Sequence, residues 1–326
     1  MANEVEKVNG IEVGDIEKIN GRTDANIENL SSREFVAGTT WRVHVFTGTS
    51  TFVVGASGGG DVEVMMIGGG GGGGDGSYGG GGGGGGAMDR YGDGYVASPT
   101  LPLTNDLSKG FATHTVTNGY TYEIVIAAGQ TRDQASYDGT GGLTKISSDD
   151  SGSEVYLASY TNHPGGGGPG GRSAGGVGGQ YGGGGGGGGS GSGASGGGVT
   201  AGTKYWGGDG GDAVSGTGGG GGGGASTNGV DGNATWNGVT GNGGNGVSNT
   251  FRDGSTTVEY GKGGQGGRST NYATATNDGP ANSGRGGWGA LSSNNDSGNG
   301  GSGILMIRYP DGTIDASGGT EGTYVL

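Results

Sequence analysis

The chain has 326 residues, of which 96 are glycine and only 28% are hydrophobic, so a large conventional hydrophobic core is excluded. The 16 lysines and arginines stand against 30 aspartates and glutamates, and the formal net charge of −14 disfavours binding to nucleic acids or anionic membranes. Cysteine is absent, which excludes disulfide bonds and thiolate metal sites.

The first 35 residues carry an 11-residue repeat, in which a pair of apolar residues three positions apart recurs in each copy. The period is compatible with a right-handed helical supercoil, but the Asn-Gly pairs favour extended segments broken by turns. A repeat this short cannot bury its own apolar face, so we expect residues 1–35 to dock on partner chains. A disordered tail is the alternative. The apolar positions are Val5, Val8, Ile16, Ile19, Ile27 and Leu30.

Alternating apolar residues predict β-strands in residues 36–164 and again near the end of the chain. Short strands joined by glycine-containing turns favour a small β-sandwich, with its first and last strands closing the base of an irregular all-β fold. The predicted strands are Trp41–Phe46, Thr51–Val54, Asp61–Ile67, His114–Val116, Thr121–Ala128, Glu154–Ser159 and Ile304–Tyr309.

Runs of consecutive glycines are the most distinctive feature of the sequence. Such composition is often disordered, and the absence of a strict every-third period together with only 6 prolines excludes collagen. A glycine-only segment can also form the extended polyglycine II helix, with three residues per turn and hydrogen bonds to neighbouring helices. We predict a bundle of such rods, with flexible linkers as the alternative and the relative rod directions left open. The runs are 68–74, 79–86, 165–168, 182–189 and 218–224.

Short inserts of polar and aromatic residues interrupt the glycine-rich sequence. If the runs are rods of similar length, these inserts must connect rod ends, where tyrosine and tryptophan suit surface recognition. Alternatively, the tryptophans cover the ends of the bundle. The candidate binding residues are Arg90, Tyr91, Tyr95, Lys204, Tyr205, Trp206, Trp236, Tyr272 and Trp288.

The sequence therefore predicts four zones. They are an attachment repeat (1–35), a β-rich base with the first glycine runs (36–164), a polyglycine-helix body with aromatic inserts (165–303), and a closing strand with a C-terminal tail (304–326).

Two segments resemble the glycine-rich domain that is common in bacteriophage tail proteins. Trp41 to Gly74, where Val62–Ile67 runs into polyglycine, resembles the opening of that domain, and Gly300–Pro310 resembles its closing strand. The N-terminal repeat is similar to the leader of tail-associated proteins in phages of marine cyanobacteria. The resemblance covers this leader and residues 41–310. It implies a virion protein without fixing its place in the virion.

A more distant resemblance is to the tip adhesins of T-even-type phages, whose polyglycine-helix bundles present end loops that grip bacterial receptors. The long glycine runs separated by aromatic inserts match that family. The N-terminal repeat and the flanking strands depart from it, so attachment and assembly lie outside what the resemblance implies.

From these resemblances and the aromatic inserts together, we expect a tail-fibre or tail-tip adhesin that recognises the host surface. A head fibre, a decoration protein or another purely architectural virion protein is the alternative, and the irregular charged inserts argue against an ice-binding protein. The expected partners are other virion proteins, bound through residues 1–35, and a host carbohydrate or outer-membrane protein. Homo-oligomerisation stays open. No signal peptide is visible, so we expect synthesis in the host cytoplasm and a place in the virion.

Catalytic and metal chemistry find little support in the sequence. His44, His114 and His163 are far apart, two of them inside strand patterns, and no nucleophile elbow, zinc-protease motif or P-loop is present. Residues 207–214 resemble one turn of a glycine-aspartate calcium repeat, but such repeats need several adjacent turns to share each ion. We expect no enzymatic activity, no cofactor and no metal.

Overall fold

The computed structural model describes a large part of the chain and divides it into two compact units, Met1–Thr39 with Leu326, and Thr40–Val325. The described part is all-β, and no helix in it has the length and apolar character of a membrane span. The described residues are 7–8, 11–12, 18–19, 22–23, 39–74, 80–84, 87–88, 112–131, 142, 144–148, 155–156, 184–189, 196, 205–214, 218–232, 241–267, 277–290 and 297–325.

The N-terminal unit contains two short antiparallel hairpins that share one register. Strands β1 (Lys7–Val8) and β2 (Ile11–Glu12) pair Val8 with Ile11, and β3 (Lys18–Ile19) and β4 (Arg22–Thr23) pair Ile19 with Arg22. Each hairpin flanks an Asn-Gly pair, the dipeptide most typical of two-residue hairpin loops. The prediction of extended segments broken at Asn-Gly is confirmed for these two copies. The other predicted attachment positions, Val5, Ile16, Ile27 and Leu30, lie outside the described residues.

Fourteen further strands are described in the second unit. They are β5 (Thr40–Phe46), β6 (Ser50–Val54), β7 (Gly60–Ile67), β8 (Ala87–Met88), β9 (Ala112–Val116), β10 (Thr121–Val125), β11 (Lys145–Ser148), β12 (Val155–Tyr156), β13 (Tyr205–Trp206), β14 (Val247–Asn249), β15 (Val258–Tyr260), β16 (Ile304–Pro310), β17 (Ala316–Ser317) and β18 (Thr320–Val325).

Two of the sheets form the sandwich. The larger sheet has the order β13-β8-β7-β16-β5-β18, with β9 also paired to β7, and the smaller has the order β12-β11-β10-β6-β17. Strand β16 lies antiparallel between β5 and β7, so the last predicted strand closes the sheet beside the first. The predicted sandwich base is confirmed. Sequence reasoning missed β18, in the C-terminal tail, which pairs with residues 40–45 of β5.

The central strands of the larger sheet, β7 and β16, are covered on both faces, because successive residues of a strand point to opposite sides. One face packs on the smaller sheet, with Phe52 and Ile124 of that sheet against Leu305 and Ile307 of β16. The alternate residues of β16, including Met306, pack on the opposite face against Phe251 and the β14–β15 hairpin. This second apolar layer comes from the glycine-rich body, for which the sequence predicted only rods and connecting inserts.

Arg308 of β16 contacts several residues where the second apolar layer meets the larger sheet. Its Nε donates to Oε2 of Glu63 at 2.6 Å, and its Nη1 donates to the hydroxyl of Tyr324 at 2.9 Å. Its guanidinium also lies 4.9 Å from the ring centroid of Trp41 and 4.2 Å from that of Phe251. The charge is therefore paired, hydrogen-bonded and covered by aromatic faces, as a buried arginine requires.

His44 is a packing residue of the other face, and its side chain is fully buried. Its Nδ1 lies 2.8 Å from the Gly318 carbonyl oxygen, which can only accept, so Nδ1–H donates there. The hydroxyl of Tyr309 then donates to Nε2, also at 2.8 Å. Burial lowers the pKa of His44, while Glu321 raises it to a lesser degree. The sequence places His44 within a strand pattern, and the structure shows that it packs inside the sandwich.

The glycine-rich segments form extended rods whose hydrogen bonds recur at every third residue. For example, Gly184 and Gly187 donate to Gly84 and Gly81, and Gly185 and Gly188 donate to the next rod. A three-residue period between neighbouring strands of chain is the signature of polyglycine II. The prediction of packed rods is confirmed for the described parts of four runs, and run 165–168 lies outside the described residues. The described rods are 68–74, 80–84, 184–189, 207–213, 218–224, 227–232, 241–246, 261–267, 284–290 and 297–303.

Rod 218–224 lies at the centre of a hexagon formed by other described rods. Every N–H and every C=O of residues 220–224 is bonded, and three donor directions and three acceptor directions lead to different neighbours. The N–H groups of Gly220 to Gly224 donate to the carbonyls of Gly188, Val230, Gly264, Gly185 and Thr227, and their carbonyls accept from Gly81, Gly211, Gly244, Gly84 and Gly208.

Rod directions are mixed. Rods 80–84 and 218–224 are parallel, because Gly81 and Gly84 donate to Gly220 and Gly223, whereas rod 68–74 is antiparallel to rod 80–84. Side chains are excluded from this interior. A Cβ on Gly222 would meet the backbone of Gly82 at a distance that real Cβ atoms essentially never show.

Candidate functional site

Side chains leave the bundle at its flank, where rods have a non-glycine residue at every third position. Three neighbouring rods, 241–246, 261–267 and 284–290, show this pattern. Gly263 and Gly266 donate to the first rod, and the third rod donates back to the carbonyls of Lys262 and Gln265. Because a polyglycine II rod repeats after three residues, each rod presents its side chains on one edge.

The three rods align these side chains in two rows. The antiparallel bonds of the first pair and the parallel bonds of the second pair fix the register between rods. One row contains Asn242, Gln265 and Trp288, and the other contains Asn245, Lys262 and Arg285.

These six side chains, with Gly243 and Gly263, line a shallow cleft of about 260 Å³, which we call the Trp288 cleft. Within it, Nε2 of Gln265 donates to Oδ1 of Asn242 at 2.9 Å. Nζ of Lys262 donates to Oε2 of Glu259 at 3.0 Å, so a carboxylate offsets this ammonium charge. The cleft therefore combines amide groups, one balanced cation and an aromatic ring.

Arg285 supplies the second cation. Its guanidinium lies 5.8 Å from the centroid of the Trp288 ring, and its Nε is buried without a hydrogen-bond partner among the described residues. Burial lowers the pKa of Arg285, and Glu259 opposes this shift. Arginine remains protonated in proteins, so the group is a cation with one unused donor beside a tryptophan.

Trp288 is half-buried and lies within a rod, which corrects the prediction that its insert connects rod ends. The N–H of Trp288 donates to the Asn277 carbonyl, and its own carbonyl accepts from Gly298. An extended rod tolerates a large side chain wherever the third position faces outward. The tryptophan therefore needs no turn to reach the surface.

Tyr205 and Trp206 border a rod, as predicted for an insert, but they lie on the side of the base. They form β13, which pairs with β8, and Ala87 of β8 pairs with Ile67 at the end of β7. The pair thus extends the larger sheet of the base. The insert is only two residues long in the strand and is followed directly by rod 207–213, so the sequence around it does not predict a strand.

The remaining candidate binding residues lie outside the described residues: Arg90, Tyr91, Tyr95, Lys204, Trp236 and Tyr272. Rod directions do identify the rod ends from which the chain enters two of these segments. Rods 241–246 and 261–267 join the β14–β15 hairpin on the base through residues 246 and 261. Their ends remote from the base are therefore residues 241 and 267, which border segments 233–240 and 268–276.

The glycine-aspartate segment belongs to the flank of the bundle. Asp209 and Asp212 are exposed, their N–H groups donate to side-chain oxygens of Asn228 and Asp231, and Oδ1 of Asp212 accepts from Gly196. Among the residues that the structure describes, no group of three or more histidine or acidic side chains could hold a metal ion.

Sequence reasoning missed most of the Trp288 cleft, although a signal was present. Asn242 and Asn245, Lys262 and Gln265, and Arg285 and Trp288 each repeat at a spacing of three between glycines. A three-residue period of non-glycine residues fails over the whole chain, but it holds within these single rods.

Comparison with known proteins identifies a family. Among curated proteins, none matches the sequence. The family model described as glycine-rich domain matches residues 44–310, which begin in β5 and end with the last residue of β16. The chain belongs to this glycine-rich domain family.

Proposed function

We propose that the protein is a virion component, a tail-fibre or tail-tip adhesin that recognises the host cell surface. The observation that carries the proposal is the rigid bundle whose remote rod ends, at residues 241 and 267, border segments containing Trp236 and Tyr272. A scaffold stabilised by its backbone lets connecting segments vary in sequence without disturbing the fold. Such a scaffold suits a surface that must follow a varying receptor.

The N-terminal hairpins fit an attachment role in this proposal. Their two-residue strands are too short to be stable as isolated hairpins. Virion partners would cover the apolar positions of the repeat. Deletion of residues 1–35 should abolish incorporation into particles and leave the far-ultraviolet spectrum and thermal unfolding of the remainder unchanged. Normal incorporation of the truncated chain would contradict the attachment role.

Adsorption of virions to host cells tests the adhesin role. Replacing Trp236 and Tyr272 with alanine should weaken adsorption by about thirtyfold, since loss of an aromatic interface anchor costs about 2 kcal/mol. The matched control replaces Tyr205 and Trp206, which extend the sheet of the base, and should leave adsorption of assembled virions unchanged.

An architectural role, as a head fibre or decoration protein, is the second candidate. It is favoured by the pairing of β13 (Tyr205–Trp206) in the sheet and by the position of Trp288 within a rod, because both segments belong to the scaffold. Unchanged adsorption after both pairs are replaced, with gold-labelled protein on the head in electron micrographs, would establish this role and exclude the adhesin.

A further inference from the structure

We propose that the Trp288 cleft binds an acidic saccharide, a chain of sugar rings that carry carboxylates. The inference rests on the proposed role at a host surface, and it adds a binding site on the flank of the bundle, away from the rod ends. Three properties of the cleft support it: its aromatic ring, its guanidinium with one unused donor, and the spacing of its polar rows.

The aromatic ring provides a stacking surface. Trp288 is half-buried and lines the cleft together with the Gln265–Asn242 amide pair. The C–H face of a pyranose ring is apolar while its rim carries hydroxyls, so it matches an indole flanked by amide donors and acceptors. A cleft for a purely apolar ligand would lack these amides.

The guanidinium provides the preference for acid. Arg285 has a buried Nε–H without an acceptor among the described residues, and a buried donor without a partner is costly. A ligand carboxylate would supply that acceptor, and the planar guanidinium matches a carboxylate in a two-pronged geometry. Lys262 contributes less, because Glu259 already balances its charge at 3.0 Å.

The spacing of the rows favours an extended chain over a small anion. Along one rod, the Cα atoms of successive outward-facing residues are separated by one turn, which is about 9 Å for three residues. The backbone positions of Asn242 and Asn245 are separated in this way, as are those of Lys262 and Gln265, whereas the Arg285 guanidinium turns back to 5.8 Å from the Trp288 ring. This span exceeds one pyranose ring, so a short oligosaccharide should bind more tightly than its monosaccharide.

The direct test compares two probes on the full-length protein. Trigalacturonic acid carries the carboxylates, and its methyl ester has the same rings without the charge. Calorimetric titration should give at least about tenfold tighter binding of the acid, as expected for a hydrogen bond between charged groups. In nitrogen-15 spectra, the acid should shift the Trp288 indole N–H and the Arg285 Nε–H. Equal affinity for acid and ester, or no binding of either, would overturn the proposal without any variant being needed.

Two variants separate the contributions of the two side chains. Arg285→Gln should remove the preference for the acid, so that the ratio of affinities falls to about one. Trp288→Ala should weaken binding of acid and ester by a similar factor of about ten, because stacking does not depend on the charge. Arg252→Gln, at an exposed arginine that does not line the cleft, is the matched control and should bind like the unaltered protein. An unchanged preference in Arg285→Gln would contradict the assignment.

Failure of this inference is distinguishable from failure of the proposed function. Saccharide titration reports on the cleft alone, and virion adsorption reports on the adhesin role. No saccharide binding together with loss of adsorption in the Trp236 and Tyr272 variant would overturn the cleft assignment and support the adhesin. Binding of the acid with unchanged adsorption would support the cleft and exclude the adhesin.

Discussion

In the β-sandwich, hydrogen bonds run within each sheet and large apolar side chains fill the space between the sheets. In the glycine bundle, hydrogen bonds run in six directions around rod 218–224, and no side chain separates the rods. The base therefore depends mainly on apolar burial, as with Leu305 and Ile307, and the bundle on saturated backbone groups.

This contrast predicts opposite tolerance to substitution. A sandwich core accepts another apolar side chain of similar volume at small cost. The bundle interior accepts no side chain at all, because a Cβ on Gly222 would collide with the backbone of a neighbouring rod. At the flank, however, third positions such as those of Asp209, Asn242 and Asn245 are exposed to solvent. A bundle of this kind can change its surface chemistry without repacking.

The largest expected effect is at Arg308, where the second apolar layer meets the base. Arg308→Met should lower the free energy of unfolding by about 3 kcal/mol or more, because it leaves Glu63 without its partner in a largely buried site. The Arg308 and Glu63 side chains are only 6% and 22% exposed. Urea denaturation gives the value.

Arg42→Met is the matched control for Arg308. Arg42 pairs with Asp311 at 2.7 Å, but the two side chains are 37% and 32% exposed. The loss should be about 1 kcal/mol or less, as for other surface pairs. Equal losses in the two variants would show that Arg308 has no special role between the layers.

A methyl group in the centre of the bundle should have the next largest effect. Gly222→Ala should destabilise the protein by about 2 kcal/mol, since the added Cβ forces neighbouring rods apart and strains their hydrogen bonds. Gly48→Ala is the control, because a Cβ there meets nothing within 4 Å. Thermal unfolding of both variants would test the contrast. A Gly222→Ala variant as stable as Gly48→Ala would mean that the rods are not close-packed.

The smallest effect is a pH dependence in the base. Burial lowers the folded-state pKa of His44, so between that value and the unfolded value of about 6.5 the unfolded chain binds more protons. The stability contributed by neutral His44 is therefore complete above about pH 6.5 and is lost as the pH falls through the folded pKa.

Unfolding free energies at several pH values between 7.5 and 5.5 should show this loss, with a slope of at most about 1.4 kcal/mol per pH unit. The slope should flatten in His44→Gln, which cannot titrate. An equal slope in the variant would assign the pH dependence to other groups.

The sequence predicted the base better than the bundle. Alternation of apolar residues located β5, β6, β7 and β16, because strand periodicity reflects burial on two faces. The glycine runs predicted the rods. They did not predict the rod directions, because identical residues carry no information about which neighbouring rod they bond. The strands β14 and β15 were missed because three-residue strands in glycine-rich sequence lack a readable period.

The candidate site was predicted only through Trp288, and for a reason that the structure corrects. An aromatic insert between glycine runs predicts a connecting loop, whereas a rod displays every third residue on one edge. The other cleft residues, such as Arg285 and Gln265, come together through register between rods, which is a long-range property. Local spacing of three can indicate the exposed positions, but only the hydrogen bonds show which rods are neighbours.

Residue-resolved hydrogen exchange of the glycine amides tests most directly whether the bundle is a hydrogen-bonded lattice. The N–H groups of residues 220–224 are all bonded to carbonyls of surrounding rods, whereas Gly48 lies in an exposed turn of the base. We expect the amides of 220–224 to exchange only through large-scale unfolding, at protection levels comparable to that of Ile307 in β16. Exchange of these amides as fast as that of Gly48 would contradict the lattice and would make the glycine runs flexible linkers.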